Sequence, residues 1–194
     1  MEPFIFATNN QHKIDEIRFL LGNQFQIKTL REAGINIDIP EPHPTLEENA
    51  REKSTTIHHL TKSNCFSEDT GLEVEALSGE PGVRSARYAG ENSDPQKNMF
   101  KLLDKLKGIT NRNAQFRTVI SLILHNQEYQ FTGICPGKIA FEPSGSKGFG
   151  YDPVFIPEGD TRTFAEMNQA EKSQFSHRRR AMDQLIQFLQ ENIR

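Results

Sequence analysis

A carboxylate pair, Glu68-Asp69, closes a short apolar run and is followed by Thr70-Gly71. Hard divalent ions bind through such oxygens, and a positioned carboxylate can take a proton from water. Toward the other end of the chain, Lys172, Ser173, Ser176, His177 and Arg178 set an ammonium, hydroxyls, an imidazole and a guanidinium in one polar run. Donors of several geometries suit an anionic, heteroaromatic ligand, and Arg grips planar acceptor edges with a rigid fork. A third stretch reads Gly148-Phe149-Gly150-Tyr151-Asp152-Pro153. Its glycines would let the backbone approach a ligand, while Phe149 offers a stacking face and Asp152 an acceptor. The three together point to metal-assisted chemistry on a nucleoside triphosphate.

Chemistry of that class needs a divalent metal to neutralise phosphate oxygens, donors for the phosphate tail and a base for the attacking water. Mg2+ prefers carboxylates and keeps several waters, so one or two acids suffice, and Glu48 and the Glu68-Asp69 pair are the candidates. Glu48 also lies three residues after Thr45, the spacing of a capping box. Adjacent acids at a strand end also read as a turn, with Asp69 bonding the backbone near Gly71. The loop Thr8, Asn9, Asn10, Gln11, His12 and Lys13 lies between a predicted strand and a predicted helix, where open α/β sheets bind ligands. Amides at the helix start and the Lys13 ammonium would favour a triphosphate. Residues 145–150 are glycine-rich but carry neither glycine signature of the common phosphate loops, which disfavours a P-loop ATPase.

The elements that must carry these groups alternate between strand and helix. Residues 3–7 form an apolar segment; Ile14, Ile17, Leu20 and Leu21 follow at helical spacing; Gly22 stops the helix; residues 25–30 alternate with period two. Such a start favours an α/β sheet with parallel pairing. Three prolines within residues 40–44 mark an extended linker, after which Thr45 caps a helix whose buried face would use Leu46, Ala50, Ile57 and Leu60. Cys65-Phe66-Ser67 reads as a short strand leading into the acidic pair, and a long irregular segment follows through Tyr88. Asp94-Pro95 opens a helix with Met99, Leu102, Leu103 and Leu106 on one face. Residues 116–125 and 128–134, joined at Asn126-Gln127, give the strongest hairpin signal, and residues 137–141 a further strand. Met182, Leu185, Ile186, Leu189 and Ile193 mark a final amphipathic helix.

At 194 residues the chain is short of the roughly 250 at which single cores split, so one domain is expected. Its net charge of −3 argues against a nucleic-acid polymer as partner, whose phosphate backbone demands a broad basic footprint. No apolar run approaches the ~18 residues a membrane helix requires, and the first residues lack the pattern of a signal peptide, so a cytoplasmic protein is expected. Cys65 and Cys135, without metal-site spacing, read as small buried apolar residues.

With these residues assembled, the chain resembles the inosine triphosphate pyrophosphatase family. The matching blocks are Ala7-Thr8-Asn9-Asn10 through Lys13, Glu48-Asn49-Ala50, Glu68-Asp69-Thr70-Gly71-Leu72, Ser85-Ala86-Arg87-Tyr88, Gly148 to Pro153, and Glu171-Lys172-Ser173 with Ser176-His177-Arg178. They occur in family order over nearly the whole chain. The resemblance implies an elongated α/β domain spanning residues 1–194, with a central mixed β-sheet flanked by helices and two lobes around an active-site cleft, usually as a homodimer. It also implies Mg2+-dependent hydrolysis of inosine, deoxyinosine and xanthosine triphosphates to the monophosphate and pyrophosphate, which clears deaminated purines from the nucleotide pool. By motif, Thr8, Asn9, Asn10, Gln11, His12 and Lys13 would hold the triphosphate. Asp69 would be the base that activates water, with Glu48 and Asp69 as the metal carboxylates and Glu68 as a further acid that could share that task. Thr70, Phe149, Gly150, Tyr151, Asp152, Lys172, His177 and Arg178 would contact the base and sugar-phosphate. A 6-keto purine presents an acceptor where adenine presents an amino donor, so donors aimed at that edge reject adenine by being left unpaired. Two other readings differ in class: a nucleotide-binding sensor without turnover, and a pyrimidine-directed pyrophosphatase of the related septum-inhibitor type.

Overall fold

The structure is a computed structural model and describes residues 3–192. Ile193 of the final helical stripe lies outside the described residues. The strands are β1 (Phe4–Phe6), β2 (Ile27–Thr29), β3 (Cys65–Val74), β4 (Pro81–Gly82), β5 (Asn113–Leu124), β6 (Gln127–Ile139) and β7 (Phe155–Pro157). The helices are α1 (Gln11–Leu21), α2 (Leu46–Thr61), α3 (Pro95–Lys105), α4 (Gln169–Phe175) and α5 (His177–Asn192). The sheet order is β2-β1-β3-β5-β6-β7, with β4 also paired to β3. β1 runs parallel to β2 and β3, whereas β4 and β7 pair antiparallel with β3 and β6, so the sheet is mixed. By contacts the chain divides into one unit of Met1–Asp69, Thr118–Gly133 and Arg178–Arg194, and a second of Thr70–Arg117 and Ile134–His177.

Strand alternation builds the core of the first unit. Phe4 and Phe6 point to the face covered by Ile14 and Ile17 of α1 and by Met182, Leu185 and Leu189 of α5. Ile5 and Ala7 point the other way, against Ile57 of α2 and Leu30. Both faces are covered, as parallel strands require. In the second unit Leu72 and Val74 of β3 pack with Met99 and Leu102 of α3, Phe116 of β5 and Phe155 of β7.

Several elements differ from their sequence-based expectation. The strand at Cys65 does not end at Ser67 but continues to Val74, so Glu68 and Asp69 are strand residues and not a turn. Gly71 permits this: an added Cβ would stand 2.7 Å from the Gly82 carbonyl oxygen of β4, a collision any other residue would bring. The hairpin turns at His125 and Asn126, both in the left-handed region at φ 51° and 67°, one residue earlier than expected. Residues 137–139 continue β6 and form no separate strand. The segment after Gly79 holds β4 and a single 3-10 turn at Ser85–Arg87. Leu60, expected in the buried stripe of α2, is 60% exposed, because the buried stripe runs through Ser54, Ile57 and His58.

Candidate active site

In the first unit the pleat of β3 separates the two neighbouring acids. Successive side chains of a strand point to opposite faces, so Glu68 and Asp69 meet different partners. Asp69 shares its face with Ser67, whose hydroxyl donates to the Ala50 carbonyl of α2. One turn further along that helix, Lys53 donates its ammonium to Asp69 Oδ1 at 3.1 Å and to Glu41 in the linker before the helix. Burial raises the Asp69 carboxyl above its usual range, only partly offset by Lys53 and Lys13, and the negative Glu41 adds to the rise. Lys53, although desolvated, is held cationic and above its usual value by Asp69 and Glu41. Burial of Glu41 is outweighed by Lys53, which keeps it below the ordinary carboxylate range. Asp69 is therefore a carboxylate with heightened affinity for a proton beside a fixed cation.

Glu68 turns to the opposite face and is fully buried. Arg178, in the first turn of α5, clasps it with two bonds, Nε to Oε2 at 2.7 Å and Nη2 to Oε1 at 3.0 Å, and its Nη1 reaches Glu16 of α1. Lys13 adds a contact of 3.1 Å to Glu68 Oε1. Although burial opposes it, Arg178 and Lys13 hold the Glu68 carboxyl far below its usual value. Glu68 is thus the anchor for two cations.

The loop after β1 positions Lys13. Asn10 caps α1, its side chain accepting from the Lys13 amide at 3.2 Å, while its own amide donates to Thr8 Oγ1 at 3.2 Å. Asn9 donates to the Ile37 carbonyl at 3.0 Å, which ties the loop to the linker, and Gln11 bonds Asp15. Asn9, Asn10, Gln11 and His12 are exposed at the positive end of the helix, where an anion is favoured. Glu48 is exposed and half of a capping box: its amide donates to Thr45 Oγ1 at 3.2 Å, and its carboxylate accepts from the same hydroxyl at 2.7 Å. Glu48 thus bonds Thr45, whereas Glu41 and Asp69 grip one ammonium.

In the second unit, Asp152 accepts from the Phe149 amide at 2.9 Å and from Lys172 of α4 at 2.7 Å. Gly148, at φ 73°, is required there, since a Cβ would fall 2.0 Å from Asp152 Oδ2. The Lys172 ammonium also lies over the Phe149 ring, 5.1 Å from its centre. His177 is buried and stacks on Phe116 at 4.7 Å and 16°. Tyr151 is a core residue, its hydroxyl donating to the Ser85 carbonyl at 2.9 Å. Gly150 has φ 63° and open space around it, and Thr70 is partly buried. A groove of about 700 Å³ in this unit, beside Glu75, Lys138 and Glu158, contains none of these residues.

Residues 4–188 match the profile of the Ham1 family. The chain belongs to the Ham1 family. Ham1 relatives include a dITP/XTP pyrophosphatase of Porphyromonas gingivalis, 52% identical over 97% of this chain and 98% of its own, and one of Flavobacterium psychrophilum, 48% identical over 95% and 97%. The Ham1 protein of Staphylococcus aureus has a similar solved structure, with a TM-score of 0.89 and 38% identity over 98% of this chain and all of that one. The family foreseen from the ordered blocks is the one found, and the mixed α/β fold of its Ham1 neighbours is the fold seen here.

Lys53, Glu41 and Glu16 were not foreseen as parts of this site. For Lys53 a signal was present: Leu46, Ala50, Lys53 and Ile57 follow helical spacing, which puts Lys53 on the buried stripe of α2.

Proposed function

We propose that this protein hydrolyses the triphosphates of deaminated purines, with inosine, deoxyinosine and xanthosine as bases, to the nucleoside monophosphate and pyrophosphate. Relatives named dITP/XTP pyrophosphatases, alike over nearly their whole length, support the substrate class. The observation that carries the chemistry is Asp69: a carboxylate whose proton affinity burial raises and which Lys53 fixes. A base whose proton affinity approaches the working pH is the more effective. Asp69 takes a proton from water, the water oxygen bonds the α-phosphorus, and the bond from that phosphorus to the β-bridging oxygen breaks. Pyrophosphate leaves with those electrons, and the proton rests on Asp69. Lys13 and the α1 amides hold the phosphate tail, with Asn9 and Asn10 shaping the loop. Asp152, Lys172 and His177 recognise the base.

A magnesium ion suits the donors present. Glu41, Asp69, Glu16 and Glu68 face Lys13, Lys53 and Arg178, four carboxylates against three cations, leaving one negative charge in excess. The oxygens are hard, and an ion that keeps waters and borrows phosphate oxygens needs only one or two carboxylates. Asp69 would hold it together with Glu41, which shares the Lys53 ammonium with it, or with Glu48. When bound, it would neutralise the phosphate oxygens. The reading includes a homodimer, which sedimentation at micromolar concentration checks; no described helix is long and apolar enough to cross a membrane.

A product-resolved screen of inosine, xanthosine, adenosine, guanosine and thymidine triphosphates with Mg2+ tests the proposal. Pyrophosphate from the first two is the expected product. Orthophosphate, preference for the thymidine nucleotide, or tight binding with no turnover would refute it.

A further inference from the structure

Phe116 is assigned no part in the chemistry above, yet its ring touches His177, one of the groups assigned there to the base. It sits in β5 at 7% exposure. Its neighbours Gln115 and Arg117 point to the opposite face and both bond Glu73 of β3, at 2.7 and 3.0 Å. That double grip fixes the register of β5 and with it the position of the Phe116 ring. On the near face the ring lies parallel to the His177 imidazole, 4.7 Å between centres and 16° between planes. It lies parallel to Phe164 at 6.2 Å, and Phe155 braces it edge-on at 4.6 Å. Phe164 in turn lies under the Lys172 ammonium, 5.3 Å from its centre, while the same ammonium bonds Asp152. One ring therefore contacts His177 directly and reaches Lys172 through a single intermediate.

A histidine discriminates purines only if its ring nitrogens keep a fixed direction. Hydrogen bonds weaken steeply with angle, and an imidazole free to rotate about χ2 loses that direction. Stacking against a braced ring removes this freedom without using either nitrogen. We propose that Phe116 is a positioning residue for base selectivity, holding the imidazole plane of His177 and, through Phe164, the ammonium of Lys172. The proposal rests on the reading that His177 and Lys172 recognise the purine.

The test uses the full-length protein and the substitutions Phe116→Leu, which removes the ring and nearly keeps the volume, and Phe116→Tyr, which keeps the ring. Steady-state kinetics are measured with inosine and adenosine triphosphates. The imidazole Cε1–H resonance of His177, assigned by its disappearance in His177→Gln, is recorded in parallel. An aromatic pair of this kind is worth up to about tenfold. Phe116→Leu should raise KM for the inosine nucleotide about five- to tenfold, leave kcat within about twofold, lower the inosine-to-adenosine ratio of kcat/KM, and move the His177 resonance downfield as ring shielding is lost. Phe116→Tyr should restore all of these toward wild type. If Phe116→Leu does not unfold cooperatively, Phe116→Met, whose flexible thioether fills irregular gaps, takes its place. Unchanged KM and selectivity in a ringless variant that melts cooperatively would overturn the proposal. So would a Tyr variant as impaired as the Leu variant with its His177 resonance in place. A wild-type protein that released no pyrophosphate from the inosine nucleotide would refute the underlying reading and the selectivity role with it, while the His177 resonance would still report whether the ring holds the imidazole.

Discussion

The two units handle charge in opposite ways. In the first, each of two buried cations is shared by two carboxylates: Lys53 bridges Glu41 and Asp69, and Arg178 bridges Glu16 and Glu68. In the second, one buried ion pair, Lys172 with Asp152, stands among the rings of Phe149 and Phe164, with His177 stacked on Phe116 nearby. A phosphate tail changes charge as its bonds rearrange, and a lattice of fixed charges can absorb that change. A purine ring is neutral and planar, and calls for shape, stacking and a few directed donors. The contrast teaches that adjacent site residues can serve opposite purposes. Glu68 and Asp69 differ by one position, yet the first is held ionised by a guanidinium and the second is left hungry for a proton.

The largest effect expected from breaking this arrangement is at Asp69. Asp69→Asn keeps the size and removes the base, so kcat should fall by roughly 10²–10⁴ with a modest change in KM. Turnover at the wild-type rate would show that the base lies elsewhere. Arg178→Met should cost up to roughly 3–5 kcal/mol in urea unfolding, because the buried Glu68 loses the guanidinium that clasps it and keeps Lys13. Adding Glu68→Gln should return part of that loss; a single variant as stable as wild type would mean that the clasp is not formed. In the second unit, Lys172→Met should act mainly on recognition. Asp152 keeps its bond from the Phe149 amide, so KM for the inosine nucleotide should rise about tenfold while kcat changes less.

The acid limb of kcat/KM sharpens the contrast between the two neighbours. Asp69 is raised by burial, so activity should climb with pH through an inflection above the usual aspartate range, and Lys53→Met should push that inflection further up. Stability follows Glu68 in the other direction. Its folded carboxyl lies below the unfolded value of roughly 4.3, so the stabilisation it provides is complete above that pH and is lost as pH falls below it. Urea midpoints measured from neutral to acidic pH check the sign. The smallest effect is at Leu60, exposed on α2, where Leu60→Lys should change stability by no more than about 0.5 kcal/mol.

Much of the order of strands and helices, though not β4, β7 or α4, was legible because its apolar spacing is regular: Ile14, Ile17 and Leu21 in α1, and Met182, Leu185 and Leu189 in α5, are buried as their periodicity predicts. The motif residues were legible by type, since Asp, Lys and His announce chemistry wherever they fall. Their partners were less so. Glu41 lies in a proline-rich linker with no periodicity, and its link to Asp69 runs through Lys53 of α2. Lys53 stands in a polar stretch, Arg51-Glu52-Lys53, that resembles a solvated helix face unless the buried stripe is traced through it. The division of Glu68 from Asp69 was hidden by Gly71, a residue that punctuates turns in most sequences but here serves a close approach of β3 to β4.

Hydrolysis in ¹⁸O-labelled water tests the central claim most directly. With water activated at Asp69 and attacking the innermost phosphorus, one turnover of inosine triphosphate should place the label in the nucleoside monophosphate and leave the pyrophosphate unlabelled. Label in pyrophosphate, or labelled orthophosphate, would contradict it.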